Sequence, residues 1–74
     1  MTKLQFTAII EREGHGYVAL CPELDVASQG DTVEAARKNL AEAVELSCET
    51  AGPAELQERL HSEVFITRLD VAFR

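Results

Sequence analysis

Leu4, Phe6, Ala8 and Ile10 alternate with Gln5, Thr7, Ile9 and Glu11. A period of two marks a strand, and it predicts one over Leu4–Ile10 with the first set facing a core. Ile9 falls in the opposite set, so the outward face is not wholly polar, which makes Ile9 a candidate for an oligomer interface. The stretch EREGHGY breaks the alternation at Gly14 and Gly16 and reads as a hairpin turn. Tyr17–Cys21 is the returning strand. Pro22 has no N–H to give to a ladder, which predicts that this strand stops at Cys21. Val26–Gln29 reads as a short third strand, with Gly30 freeing the backbone for a turn.

The period then changes. Val33, Ala36, Leu40, Ala43, Val44, Ser47, Cys48 and Ala51 recur at spacings of three and four, which places them on one face of a long helix. Glu34, Lys38, Glu42, Glu45 and Glu49 fall outside that face. Asp31 or Thr32 caps the start, and Asp31 with Glu34 has the spacing of a capping box. Gly52 suits the helix end, and Pro53 suits the first turn of a new short helix carrying Leu56 and Leu60, with Glu55 four residues before Arg59. Alternation returns at the C-terminal end of the sequence. Phe65, Thr67, Leu69, Val71 and Phe73 share one face of an expected strand, and Arg68, Asp70 and Arg74 share the other.

The element order is therefore strand, strand, short strand, long helix, short helix, strand. The economical packing is an α+β fold of two layers, a small antiparallel sheet with the long helix lying across one face. With 74 residues there is room for one domain, expected to span 1–74. A chain of this size buries only about 60% of its unfolded surface, so association with another chain is an expected source of stability.

Charge narrows the partners. Thirteen acidic residues against seven basic ones leave a formal charge of −6. That disfavours direct nucleic-acid binding, which rests on clustered Lys and Arg, and favours a basic partner. The first residues lack the pattern of a secretory signal, and no apolar run approaches the roughly 18 residues of a membrane span. A cytoplasmic protein with no membrane association is expected, with Cys21 and Cys48 free.

None of the chemistry-bearing residues assembles into a catalytic pattern. Acidic neighbours of Cys21 would raise its pKa and blunt its reactivity, so it reads as a small buried hydrophobe, and Cys48 reads as core packing. His15, Cys21, Cys48 and His61 contain no local pair of the kind from which zinc sites start. The carboxylates Glu11, Glu13, Glu23, Asp25 and Asp31 are expected at strand ends and loops, with no acid between Leu4 and Ile10 to anchor a two-metal site. GHG lacks the frame of a phosphate-binding loop. The expectation is a binding protein with no catalytic residues, no metal and no cofactor.

The stretch from Gly16 onward resembles the HicB-like antitoxin family of type II toxin–antitoxin systems. The carrying residues are Gly16-Tyr17-Val18-Ala19, Cys21-Pro22-Glu23-Leu24 and Ser28-Gln29-Gly30-Asp31-Thr32. They continue through Glu34, Ala36, Asn39, Leu40, Glu42 and Ala43. Ile9, Ile10 and Glu11 of the opening strand and SEVFITRLDV near the end also fit. The resemblance implies a partial ribonuclease-H-like fold, β-β-β-α-β, without nuclease function. It also implies a HicA-like partner, a small basic toxin that cuts messenger RNA. Apart from the resemblance, the short chain with its small core is expected to form a homo-oligomer, dimer or tetramer. Many family members add a DNA-binding segment after the last strand, which is not expected here.

Two functions are then in view. One is an antitoxin that covers such a toxin, with Glu11, Glu13, Tyr17, Glu23 and Asp25 as candidate partner-binding residues. The other is a solitary oligomeric domain with a regulatory or small-molecule-binding role and no toxin.

Overall fold

The computed structural model describes residues 5–52, 54, 55, 58, 60 and 63–74. Three strands, β1 (Ile9–Glu13), β2 (Gly16–Cys21) and β3 (Val26–Gly30), form one antiparallel sheet in the order β1-β2-β3. Helix α1 (Val33–Thr50) follows and packs on the sheet, most closely on β3. The fold is α+β, as the change from period two to helical spacing predicts.

The first strand lies further along the chain than its alternation suggests. It begins at Ile9 and runs through Glu11–Glu13, residues expected in the turn, and only Gly14 and His15 form the reversal. Gly14 has φ +60 and His15 does not share that sign, the pattern a two-residue type II′ hairpin uses. The short turn sets the register: Glu13 faces Gly16 and Ile9 faces Leu20. Residues before Ile9 would then need partners at and beyond Cys21, where Pro22 has no N–H to offer. Phe6 and Ile10 still pack against the core, as expected, whereas Ala8 is exposed and Leu4 lies outside the described residues.

Register sorts the side chains between two faces. Ile10 and Arg12 of β1, Tyr17, Ala19 and Cys21 of β2, and Val26 and Ser28 of β3 share the helix side. The core is small: Ala19, Cys21, Leu24, Ala36, Leu40 and Val44 are buried, with Phe6, Ile10, Tyr17, Val26, Cys48 and Leu60 packed around them. Ala36, Leu40, Val44 and Cys48 are the i, i+4, i+8, i+12 line of the helix. Small residues at Ala19 and Ala36 let the helix approach the sheet closely.

Thr32, rather than Asp31, is the N-cap. Its hydroxyl accepts the Ala35 N–H at 3.0 Å, and its carbonyl accepts the Ala36 N–H at 2.9 Å. The helix ends when Ala51 turns to an extended conformation (φ −81, ψ 138), one residue before the glycine expected to stop it. Ala54, Glu55 and Glu58 are helical, and the expected partners Pro53, Leu56 and Arg59 lie outside the described residues, as does His61.

The last expected strand is not part of the sheet. Residues 63–74 carry no helix, turn or bend, yet pair with no strand among the described residues. Both faces of the expected strand are exposed, with Phe65 at 84% and Phe73 at 91% on one and Ile66 at 56% on the other. The alternation is real, but neither face of it is covered by the described residues.

Candidate functional site

The face of the sheet opposite α1 is the first candidate surface. Ile9, Glu11 and Glu13 of β1 stand beside Leu20, Val18 and Gly16 of β2, followed by Ala27 and Gln29 of β3. Ile9 and Val18 are half-buried, Leu20 is 38% exposed, and Glu11 and Glu13 are exposed. None of these apolar residues belongs to the core cluster. The result is an apolar centre, Ile9–Leu20–Val18, bordered along β1 by two carboxylates. The sequence-based bounds of the first strand contained no acid; the strand as folded carries two.

A groove of about 510 Å³ lies where β2 and β3 meet the start of α1. Glu13, Tyr17, Val18, Gln29, Asp31 and Asn39 are among its lining residues. Tyr17 is held from the side: the Arg12 Nη2 donates to the Tyr17 hydroxyl at 2.8 Å, and the guanidinium carbon stands 5.0 Å from the ring centroid. Asn39 Nδ2 donates to the Gln29 carbonyl at 2.8 Å, tying the helix to β3 at the groove's wall. Glu13 and Tyr17 were legible as candidates; Gln29 of β3 and Asp31 just after it are neighbours along the chain, and only the folding of α1 over β3 brings Asn39 to them.

Glu23 is engaged at the far end of the sheet. Its carboxylate accepts the Thr7 N–H (3.0 and 3.2 Å to its two oxygens) and the Thr7 hydroxyl at 2.6 Å. It thus receives the backbone donor that would have met a strand partner had Pro22 not ended the ladder. The Cys21 thiol donates to Glu23 Oε1 at 3.4 Å. Desolvation opposes charge on Glu23, but the hydrogen bonds from Thr7 outweigh it and hold the carboxyl below its ordinary range. For Cys21, burial first, then the hydrogen bond to and charge of Glu23, push the thiol above its ordinary value. A fully buried thiol held protonated is a poor nucleophile near neutral pH.

Asp25 is exposed in the loop between β2 and β3, in the left-handed region at φ 55, a conformation that Asp tolerates better than most residues. The candidate carboxylates therefore divide. Glu11 and Glu13 run along the open face, and Glu23 and Asp25 occupy the loop beyond the opposite end of β2. Among the described residues, no group of three or more His, Cys, Asp or Glu is placed to hold a metal ion, and no helix is long and apolar enough to cross a membrane.

No family model and no solved structure matches the chain. Among curated proteins it is 47% identical over 49 residues to the UPF0150 protein ssl0738 of Synechocystis sp., a match covering 64% of this chain and 68% of that protein.

Proposed function

We propose that this chain, which belongs to the UPF0150 family, a HicB-like family, is an antitoxin that binds and inhibits a small basic messenger-RNA-cleaving toxin. The observation that carries this reading is the open sheet face. Ile9, Val18 and Leu20 supply an apolar centre, and Glu11 and Glu13 give its border negative charge. Apolar contact supplies affinity for a partner, while surrounding carboxylates speed encounter with a basic surface and exclude acidic ones. The net charge of −6 acts in the same direction over longer range. Tyr17, steadied by Arg12, lies on the helix side of the sheet and lines the groove, so it is not part of this face. Glu23 is occupied by Thr7 and has a smaller part in the proposed contact.

The groove favours a second reading. Its volume is within the roughly 300–1,000 Å³ range of small-molecule sites, and Asn39, Gln29 and Glu13 offer it polar groups. A solitary oligomeric domain that binds a small ligand there is the competing function.

Co-expression with each reading frame adjacent to its gene, followed by native mass spectrometry, separates the two. An antitoxin co-purifies with a small basic protein that stops growth when expressed alone. Glu11→Lys/Glu13→Lys then slows association with that protein at low salt by roughly tenfold or more, with the difference shrinking as salt rises. Association at an unchanged rate removes the open face from the reading. Harmless neighbours with no complex leave the ligand-binding domain.

A further inference from the structure

Residues 63–74 form an alternating segment in which the large apolar side chains from Phe65 onward are exposed. Phe65, Leu69, Val71 and Phe73 are all more than two-thirds exposed, and Ile66 is more than half exposed. The molecule reaches 48 Å in its longest dimension against 18 Å in its shortest. An exposed, unpaired segment with this pattern offers open N–H and C=O groups and an apolar row to another chain.

The order of residues indicates which chain. An antiparallel pairing of two copies of this segment about a two-fold axis at Leu69 brings residue numbers summing to 138 opposite one another. Phe65 then faces Phe73 of the second copy, Thr67 faces Val71, and Leu69 faces itself. On the other face Arg68 stands opposite Asp70, twice over. Both aromatic and opposite-charge cross-strand pairs are favourable. Moving the axis to Arg68 sets that arginine against its own copy, and moving it to Asp70 does the same with the aspartate. Like charges directly opposite disfavour both alternatives. A half-residue shift sets the apolar row against the charged row. One symmetric register therefore satisfies aromatic, aliphatic and charged positions together.

We infer that the protein is a two-fold dimer joined through residues 63–74, each copy supplying one strand of an antiparallel ribbon centred on Leu69. The odd-numbered face of that ribbon, with four phenylalanines from the two copies, is the side that packs on the bodies of the dimer. An isologous contact of this kind closes on itself and does not propagate into a fibre. This inference is independent of the toxin: it concerns what the chain does with its own copy.

Cysteine cross-linking of the full chain tests the register. In a Cys48→Ser background, Leu69→Cys sets two thiols directly opposite, where Cα separations of roughly 4.5–5.5 Å are within disulfide reach. Mild oxidation is expected to convert most of it to a covalent dimer. Thr67→Cys alone stays monomeric on a denaturing gel, because its own copy lies about 13 Å away along the ribbon. Mixed with Val71→Cys, it forms the mixed dimer. Arg68→Asp is expected to weaken the dimer about tenfold or more, and Arg68→Asp/Asp70→Arg to restore it. These positions are exposed in the single chain, so circular dichroism of the variants should match the parent. Sedimentation equilibrium showing a monomer at high micromolar concentration overturns the inference. So does a dimer in which Leu69→Cys fails to cross-link, since that dimer uses another surface, Ile9 and the open face among them.

Discussion

Gly30, the last residue of β3, lies against the backbone of Ala36 in the first turn of α1: a Cβ on Gly30 would stand 2.5 Å from the Ala36 amide nitrogen. The glycine is needed for this approach and not for an unusual backbone angle, because its φ is not in the left-handed region. The same residue crowds its neighbour on β2, where a Cβ on Gly16 would meet the Gly30 carbonyl oxygen at 2.9 Å.

Gly30→Ala should therefore be among the most destabilising single changes in the protein. The obstructing atoms are backbone and cannot rotate away, so relief requires moving α1 off the sheet. A loss of about 2 kcal/mol or more is expected from urea unfolding. Gly14→Ala, where only the positive φ objects and nothing lies within 4 Å, should cost about 1 kcal/mol.

Glu23→Gln tests the carboxylate that stands in for a strand partner. The Thr7 bonds are partly exposed, so a loss of about 1 kcal/mol at neutral pH is expected. The sign with pH follows from the lowered pKa. The contribution of Glu23 is in place above its ordinary value of 4.5 and disappears as pH falls through the lower folded value. Parent and variant should converge in stability on acidification, and a gap that stays constant to low pH would remove the charge from the explanation.

Cys21 and Cys48 should separate in thiol labelling. Cys48 is half-buried, while Cys21 is fully buried and its thiol is held protonated. In the native protein Cys48 should react first, with Cys21 at least roughly 100-fold slower because labelling waits for opening of the fold. Since burial raises the Cys21 pKa, its contribution to stability is complete below the ordinary value of 9.0 and is lost as pH rises beyond it. That alkaline loss should be absent from Cys21→Ala.

Thr32→Ala should cost about 1 kcal/mol by freeing the Ala35 N–H. Asp31→Ala, which removes only a charge near the helix start, should cost roughly half as much. Equal losses would mean that both residues cap.

The turn and the ladder end show why the strand positions were only partly legible. Phe6, Ala8 and Ile10 alternate as well as any strand, but alternation does not report where a partner runs out. The partner of β1 is set by the two-residue turn at Gly14–His15 and by Pro22, and together they shift the paired segment to Ile9–Glu13. The extent of the helix and its central apolar line were readable because their signal is internal: the hydrogen bonds lie within the segment, and the line from Ala36 to Cys48 needs no other element to be recognised, although Val33, expected on that face, is exposed. The candidate surface was legible residue by residue in Glu11, Glu13 and Ile9, and the groove in Tyr17. Leu20 beside Ile9, and Asn39 beside Gln29, were not, since each pair joins residues at least ten positions apart.

Local chemistry along the chain thus determined the α+β class, the strand-ending Pro22, the capped start of α1 and the acidic character of the protein. Periodicity, a missing N–H, a hydroxyl three residues from an amide and a charge count all act within a few positions. The tertiary structure decided what depends on two distant segments meeting. It placed Glu23 on Thr7, pressed Gly30 against Ala36, and set Glu11 and Glu13 on the face turned away from the helix. It also left residues 63–74 without a strand partner among the described residues. Period two encodes which side chains share a face of a strand, whereas the edge that a strand joins is chosen by whatever edge is free, in the same molecule or another.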